Sequence, residues 1–295
     1  MKKHKLKRTV LQENIAAYLF LSLWITGMVV FYFYPFLYSL FMSFTDATLV
    51  EGEFVGFQNF VKMFTQDGRF LKSLQVTTKY ALVGVPLKLI FALALALLLK
   101  NGSTFYRTAL YLPSLIGGSV AVAVMWRQLF GKTGMVSLIL ELFGIPSKNW
   151  LGDPDHALNI LILLAVWQFG SSMVVFIAGL KNIPSELYEA ASIDGASKTR
   201  QFFSITLPML SPTIQFNLIL QLVGGFQAFT QGYIITKGGP IDETLFTVQY
   251  IYEQAFKNMR MGYSAAMSWV LFLLISLVAL LVFISSKYWV FYENE

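Results

Sequence analysis

Few groups in these 295 residues could do covalent chemistry. The chain has only two histidines, His4 and His156, and no cysteine. That leaves no H-E-x-x-H pair, no histidine-rich metal cluster and no thiolate nucleophile. The string "FGKTG" carries Gly131-Lys132-Thr133, but a phosphate-binding loop needs a glycine five residues earlier, where position 126 is Trp. The polar groups that stand out suit recognition instead. Gln168, Ser171 and Ser172 follow Trp167, and Gln215, Asn217, Gln221 and Gln227 surround Gly224-Gly225-Phe226, all within otherwise apolar runs. Amides and hydroxyls beside flat aromatic faces match a polyhydroxylated ligand such as a sugar. The same residue types also act as glue between helices. Either way an unpaired amide is costly in hydrocarbon, so these groups should face the interior of a bundle.

Lys88 is the isolated charge. It lies 12 positions before Lys100, roughly 18 Å along a helix that rises about 1.5 Å per residue. That is deep for snorkelling, and a central lysine costs about 2.5–3.5 kcal/mol on the insertion scale. Three accounts are open: it reaches carbonyls freed near Pro86, it meets a carboxylate of a partner subunit, or it faces a ligand path and favours acidic sugars. The longest polar stretch of the second half is "EAASIDGASKTRQFFSITLP", Glu189 to Pro208. Pro184 and Ser185 predict a helix start there, with serine as the cap. Glu186 and Glu189 sit near its positive end. Leu187, Ala190 and Ala191 share a face that is mostly alanine, which lets another backbone approach closely. Gly195 suits the left-handed residue that closes a helix. From the residues alone, this is either a helix lying on the membrane or a docking helix.

The elements that must position these groups follow from composition. Apolar residues are 56% of the chain and charged residues 13%, against about 25% charged in a soluble protein. Six runs are long enough to cross a bilayer: 16–36, 77–99, 108–126, 158–180, 207–229 and 263–285. Five of them lack Asp, Glu, Lys and Arg, which removes the usual intramembrane acid–base pairs. The chain therefore reads as an all-α, polytopic membrane protein with six transmembrane helices and no catalytic residues. Its net charge of +6 points to orientation rather than to nucleic acid. Lys2, Lys3, Lys5, Lys7 and Arg8 precede the first run, a cluster retained on the cytoplasmic side. Six spans then return the C-terminus to the cytoplasm. The first run exceeds a signal-peptide core and no A-x-A-like site follows it, so it reads as a retained helix. This divides the chain into a basic cytoplasmic segment 1–14, a membrane domain 15–286 with a cytoplasmic loop at 181–208, and a cytoplasmic tail 287–295. Residues 244–256, "TLFTVQYIYEQAF", read as an amphipathic helix on the outer membrane surface.

Glu189-Ala190-Ala191, Gly195, Ile205, Leu207 and Pro208 fill every fixed position of the pattern E-A-A-x3-G-x9-I-x-L-P. That resembles the EAA loop of permease subunits of binding-protein-dependent ABC importers. "FVGFQNF", "YRTALYLP", "MWRQLF", "AGLKNIPSELYEAASIDGA" and "TKGGP", spread in order along the chain, resemble the carbohydrate-uptake branch. The resemblance implies a type I importer permease core in a bacterial cytoplasmic membrane, with both termini cytoplasmic. It implies that Ala190 and Ala191 pack into a cleft of an ATP-binding subunit, that Glu189 pairs with a base there, and that Gly195 shapes the turn. The implied partners are a second homologous permease, two ATP-binding subunits that hold ATP and magnesium, an extracytoplasmic solute-binding protein and a sugar. The stretches before "GGP" and before the EAA loop imply sugar contacts at Gln168, Gln221, Phe226 and Gln227. Polyols or glycerol phosphates fit the same motifs, and a motor-independent channel would leave the EAA pattern unexplained.

Overall fold

The computed structural model describes residues 18–49, 51–144, 146 and 148–291. The basic cluster at 2–8, the segment 1–14 and the last four residues of the tail lie outside them. Among the described residues the only β pairing is a single bridge between Thr45 and Phe54; the rest of the regular structure is helical. Four helices are long and apolar enough to cross a membrane: Tyr18–Ser43, Gly68–Leu99, Lys198–Phe226 and Met261–Ser286. Two bent pairs supply the other spans. Thr104–Ile116 and Val120–Leu129 meet at 95°, and Ala157–Trp167 and Gly170–Lys181 at 42°. With each pair counted once, the six expected spans appear in the expected order.

Their boundaries and shapes differ from the hydropathy reading. The second span begins at Gly68 rather than Thr77, because the Asp67 carboxylate accepts from the Phe70 amide at 3.0 Å and caps the helix. Its 32 residues make roughly 48 Å at about 1.5 Å per residue, well beyond the ~30 Å hydrocarbon layer. The third run breaks at Gly117-Gly118, and Ser119 restarts it by accepting from the Val122 amide at 3.3 Å. A side chain at Gly117 would strike Gln168 and the Pro113 carbonyl. Neither glycine nor serine interrupts an apolar count, so the sharp bend was invisible to hydropathy. The fifth span begins at Lys198, inside the polar segment rather than at Leu207, and passes through a π-helical turn at Phe202–Thr206.

The chain forms two compact units. In one, the described residues from Tyr18 to Val61 associate with Gln254–Trp269. There the Asn59 side chain donates to the Ser43 and Thr45 carbonyls at 2.9 and 2.8 Å, and Trp269 donates to Ser39 at 3.2 Å. The Tyr18–Ser43 helix leaves its apolar side chains exposed, as a helix bathed in lipid would. The other unit, Lys62–Glu253 with Val270 onward, holds the polar groups of interest. Its second span buries Ala81, Val85, Leu89, Ala92 and Ala96 at i+4 and i+3 steps along one face. Against the lower part of that stripe pack Phe169, Met173 and Phe176 of the fourth span and Leu210 and Leu222 of the fifth. A second cluster gathers Trp126, Phe130, Leu161, Ile235 and Phe246, with Trp126 stacked on Phe130 at 5.0 Å.

The segment after the fifth span corrects the expectation of a surface helix at 244–256. Thr244, Thr247, Gln249 and Tyr250 are buried. The Thr247 amide donates to Thr77 Oγ1 at 2.9 Å, and the Tyr250 hydroxyl donates to Asp67 at 2.9 Å. The stretch is amphipathic because its polar face is satisfied by the second span, not by water. In the preceding turn, Arg69 grips Asp242 through Nε and Nη2 at 2.8 and 2.9 Å, and Lys72 pairs with Glu243 at 2.5 Å.

The Arg69 guanidinium holds the Asp242 carboxyl below the ordinary Asp value. A depressed folded value means that the pair stabilises the turn above about pH 4 and is lost as pH falls through the lowered value. Both partners are partly exposed, so the contribution is about 0.2–1 kcal/mol. Hydrogen exchange at Thr244–Gln249 should therefore accelerate between pH 5 and 3 beyond the intrinsic pH effect. Asp242→Asn, which tolerates the left-handed backbone at this position (φ +59), should show the acceleration already at pH 5 and no further change.

Candidate functional site

Two places collect the sequence-predicted residues. The first is the segment between the fourth and fifth spans. A helix runs from Ser185 to Ile193, with Pro184 at the cap position and no side-chain cap; Ser185 is its first helical residue, not the cap expected from its type. At the other end Gly195 takes the left-handed conformation (φ +74). The Gly195 amide donates to the Ser192 carbonyl at 3.1 Å and the Ala196 amide to the Ala191 carbonyl at 2.8 Å, the paired bonds of a Schellman closure. Ser197 then accepts from the Arg200 amide at 3.3 Å and opens the next helix, which becomes the fifth span.

Glu189 and Ala190 are exposed and Ala191 half-buried. Around them Leu187, Ile193 and Phe203 are 41%, 87% and 61% exposed. The helix therefore presents uncovered apolar side chains, Leu187 and Ile193, beside the exposed carboxylates Glu186, Glu189 and Asp194. The helix is also firmly anchored. The Tyr188 hydroxyl and Thr206 Oγ1 are 2.9 Å apart, the Gln201 amide donates to Ser192 Oγ at 2.9 Å, and Lys100 lies 5.4 Å over the Tyr188 ring. Ile205 packs on the buried cluster beneath, and Leu207 and Pro208 are half-buried at the base of the span. The seven pattern residues thus divide between an exposed face at Glu189–Ala191 with its Gly195 turn and a buried root at Ile205–Pro208. Tyr188, Gln201 and Thr206, which join the two, were not singled out from sequence. Their partners are 9 and 18 residues away, beyond any local spacing rule.

The second place is a cavity of about 220 Å³ between the second, fourth and fifth spans. Lys88, Gln168 and Gln221 all line it, together with Tyr80, the Gly224-Gly225 pair and Gln231. Lys88 Nζ donates to Gln221 Oε1 at 2.8 Å, so the carbonyls near Pro86 are not its partner. Gln168 Nε2 donates to the Gly117 carbonyl at 3.1 Å, satisfying a group freed by the break in the third span. Two of the expected contacts lie elsewhere. Phe226 is fully buried against Ala81 and Leu271, and Gln227 is exposed and does not line the cavity. Asn217 is glue: it is buried and donates to the Ser172 carbonyl at 3.2 Å. Gln231 was missed because it follows the run expected to end at 229. It reaches the cavity from the helical turn that resumes at residue 230, after the fifth span has ended at Phe226. Among the described residues, no group of three or more metal-ligating side chains could hold a metal ion.

A family model described as "binding-protein-dependent transport system inner membrane component" matches residues 25–290. The "probable ABC transporter permease protein YesP" of Bacillus subtilis (strain 168) is 49% identical, covering 99% of this chain and 96% of that protein. The "arabinooligosaccharides transport system permease protein AraP" of the same organism is 33% identical over 91% of this chain and 88% of its own. Among solved structures, a chain of a bacterial alginate ABC transporter crystallised with an alginate pentasaccharide-bound periplasmic protein superposes with a TM-score of 0.82. It is 21% identical and covers 95% of this chain and 96% of its own.

The geometry at Gly195 makes a clean prediction. No atom stands within 4 Å of a side chain added there, so substitution tests the backbone alone. Gly195→Val should destabilise the helix end by about 1–2 kcal/mol, the cost of a left-handed conformation for an L side chain, and Gly195→Asn by less. Hydrogen exchange at the amides of residues 192–196 should rise most for Gly195→Val and less for Gly195→Asn, with exchange in the Gly68–Leu99 helix unchanged.

Proposed function

This chain belongs to the family of binding-protein-dependent transport system inner membrane components and is an ABC transporter permease; from that premise we propose that it forms half of the translocation path of an oligosaccharide importer. In this reading the Ser185–Ile193 helix is the surface through which ATP-binding subunits drive it. The observation that carries the proposal is the exposed, anchored Glu189–Ala191 face. An alanine pair on a helix that leaves Leu187 and Ile193 uncovered is shaped to sit in another protein's cleft, and Glu189 supplies a charge for register. The oligosaccharide class is supported by the polar lining of the cavity and by the similarity to an arabinooligosaccharide permease.

The working assembly comprises a second homologous permease, two ATP-binding subunits and an extracytoplasmic solute-binding protein. Both termini of this chain face the cytoplasm, as the basic N-terminus favours. ATP and magnesium belong to the ATP-binding subunits, and this chain contributes mechanics. Movement imposed on Ser185–Ile193 passes through Tyr188–Thr206 and Gln201–Ser192 into the root of the fifth span, which is one continuous helix up to Phe226. That helix carries Gln221 and the glycine pair on the cavity wall. A tilt of the span therefore reshapes the cavity, so the two arrangements of the permease pair differ in which side the cavity faces. The binding free energy of the motor for one arrangement selects it.

Reversing Glu189 tests the proposal. Placing like charges in a desolvated interface costs several kcal/mol, so Glu189→Arg should cut substrate-stimulated ATPase of the complete transporter at least ten-fold. The fold of the chain should be intact by thermal unfolding in detergent, since Glu189 is exposed. Undiminished stimulation would remove this helix from the coupling role.

A further inference from the structure

Resting on the importer reading above, we infer that the cavity around Lys88 is a subsite for a sugar carboxylate, and that the oligosaccharide carried is an anionic, uronate-bearing one. Lys88 sits well inside the second span, 20 positions after its first residue and 11 before its last. A lysine at that depth normally pairs with a carboxylate or stretches toward the nearest interface. Lys88 does neither. Its ammonium turns onto Gln221 Oε1 at 2.8 Å and lines the cavity. Among the described residues no carboxylate forms an ion pair with it. Gln221 supplies a neutral acceptor, which holds the ammonium in place without cancelling its charge.

The remaining lining suits a pyranose beside that charge. Gln168 and Gln231 carry amides that match hydroxyl groups, and Tyr80 presents an aromatic ring. Gly224 also lines the cavity, and no atom stands within 4 Å of where its side chain would be, so a sugar ring can lie against the backbone there. An incoming carboxylate would take the place of Gln221 Oε1 as acceptor, exchanging a bond between the ammonium and a neutral amide for one in which both partners are charged. The site carries one ammonium, no arginine fork and no second cation. That fits a monoanion better than a phosphate, whose charge and three oxygens call for more donors.

The test is uptake into proteoliposomes holding the complete transporter and its binding protein. The probes are trigalacturonate, neutral galactotriose and glycerol 3-phosphate, each measured with the same preparation of binding protein so that its own selectivity cancels between variants. Lys88→Gln should lower the ratio of trigalacturonate to galactotriose uptake at least ten-fold, and Lys88→Arg should restore most of it. Gln221→Glu keeps the side-chain shape but offers Lys88 an internal carboxylate, so it should lower the ratio similarly even if Lys88→Gln fails to assemble. A ratio unchanged within two-fold in these variants, or wild-type import of glycerol 3-phosphate in preference to both sugars, overturns the inference. Wild type importing neither sugar nor glycerol phosphate while its complex hydrolyses ATP overturns the importer reading beneath it.

Discussion

Hydrocarbon offers a buried polar group no water to fall back on, and the arrangement of this protein follows from that constraint. Each span carries a few polar side chains, and nearly all find protein partners. Lys88 takes Gln221, Asn217 takes the Ser172 carbonyl, Gln168 takes the carbonyl exposed where the third span breaks, and Thr77 takes both the amide and the hydroxyl of Thr247. These bonds fix how the second, fourth and fifth spans turn toward one another, because rotating any span by one residue would strand its polar group in lipid. Small residues then let the helices close. A side chain at Gly225 would meet Ala81 and Val85 at 3.3 and 3.2 Å. The cavity is what remains where the polar groups converge and the glycines leave space.

The same constraint explains what could be read in advance. Six spans were legible because hydrophobic length is a physical requirement that leaves an unmistakable trace. The short helix before the fifth span was legible too, since Pro184 and Gly195 are local punctuation and its bonds close within a few residues. The bends were not. Gly117-Gly118 and the turn at Gln168-Phe169 reshape two spans without lowering their hydropathy, and the reason for the first lies in a side chain 51 residues away. Nor was the burial of Thr244, Thr247, Gln249 and Tyr250 legible. A polar face satisfied by Thr77 looks, in sequence, the same as one satisfied by water.

Among the residues expected on a ligand path, helical phase separates those that line the cavity from those that do not. Gln221, Gly224 and Gly225 line the cavity from the fifth span. Gln227 is six positions from Gln221, a rotation of about 240° at 100° per residue, and Phe226 points into the core beside Leu271. An even-handed reading of amides and aromatics in an apolar run could not make that distinction, since it needs to know which face the second span covers. Lys88 was conspicuous from the start, but its partner is 133 residues on. Only the fold shows that its charge opens into a cavity.

In the proposed function, motion would enter at the exposed Glu189–Ala191 face, which would be the docking surface for a motor subunit. The chain has no cysteine, which makes the direct test simple. A single cysteine introduced as Ala190→Cys should cross-link to a co-purifying ATP-binding subunit in native membranes and should lose its reactivity toward a bulky maleimide in the intact complex. A cysteine at Phe143, exposed on a different loop, should do neither. If Ala190→Cys stays fully reactive and cross-links to no ATP-binding subunit while the complex remains assembled, the coupling face lies elsewhere and the central claim is wrong.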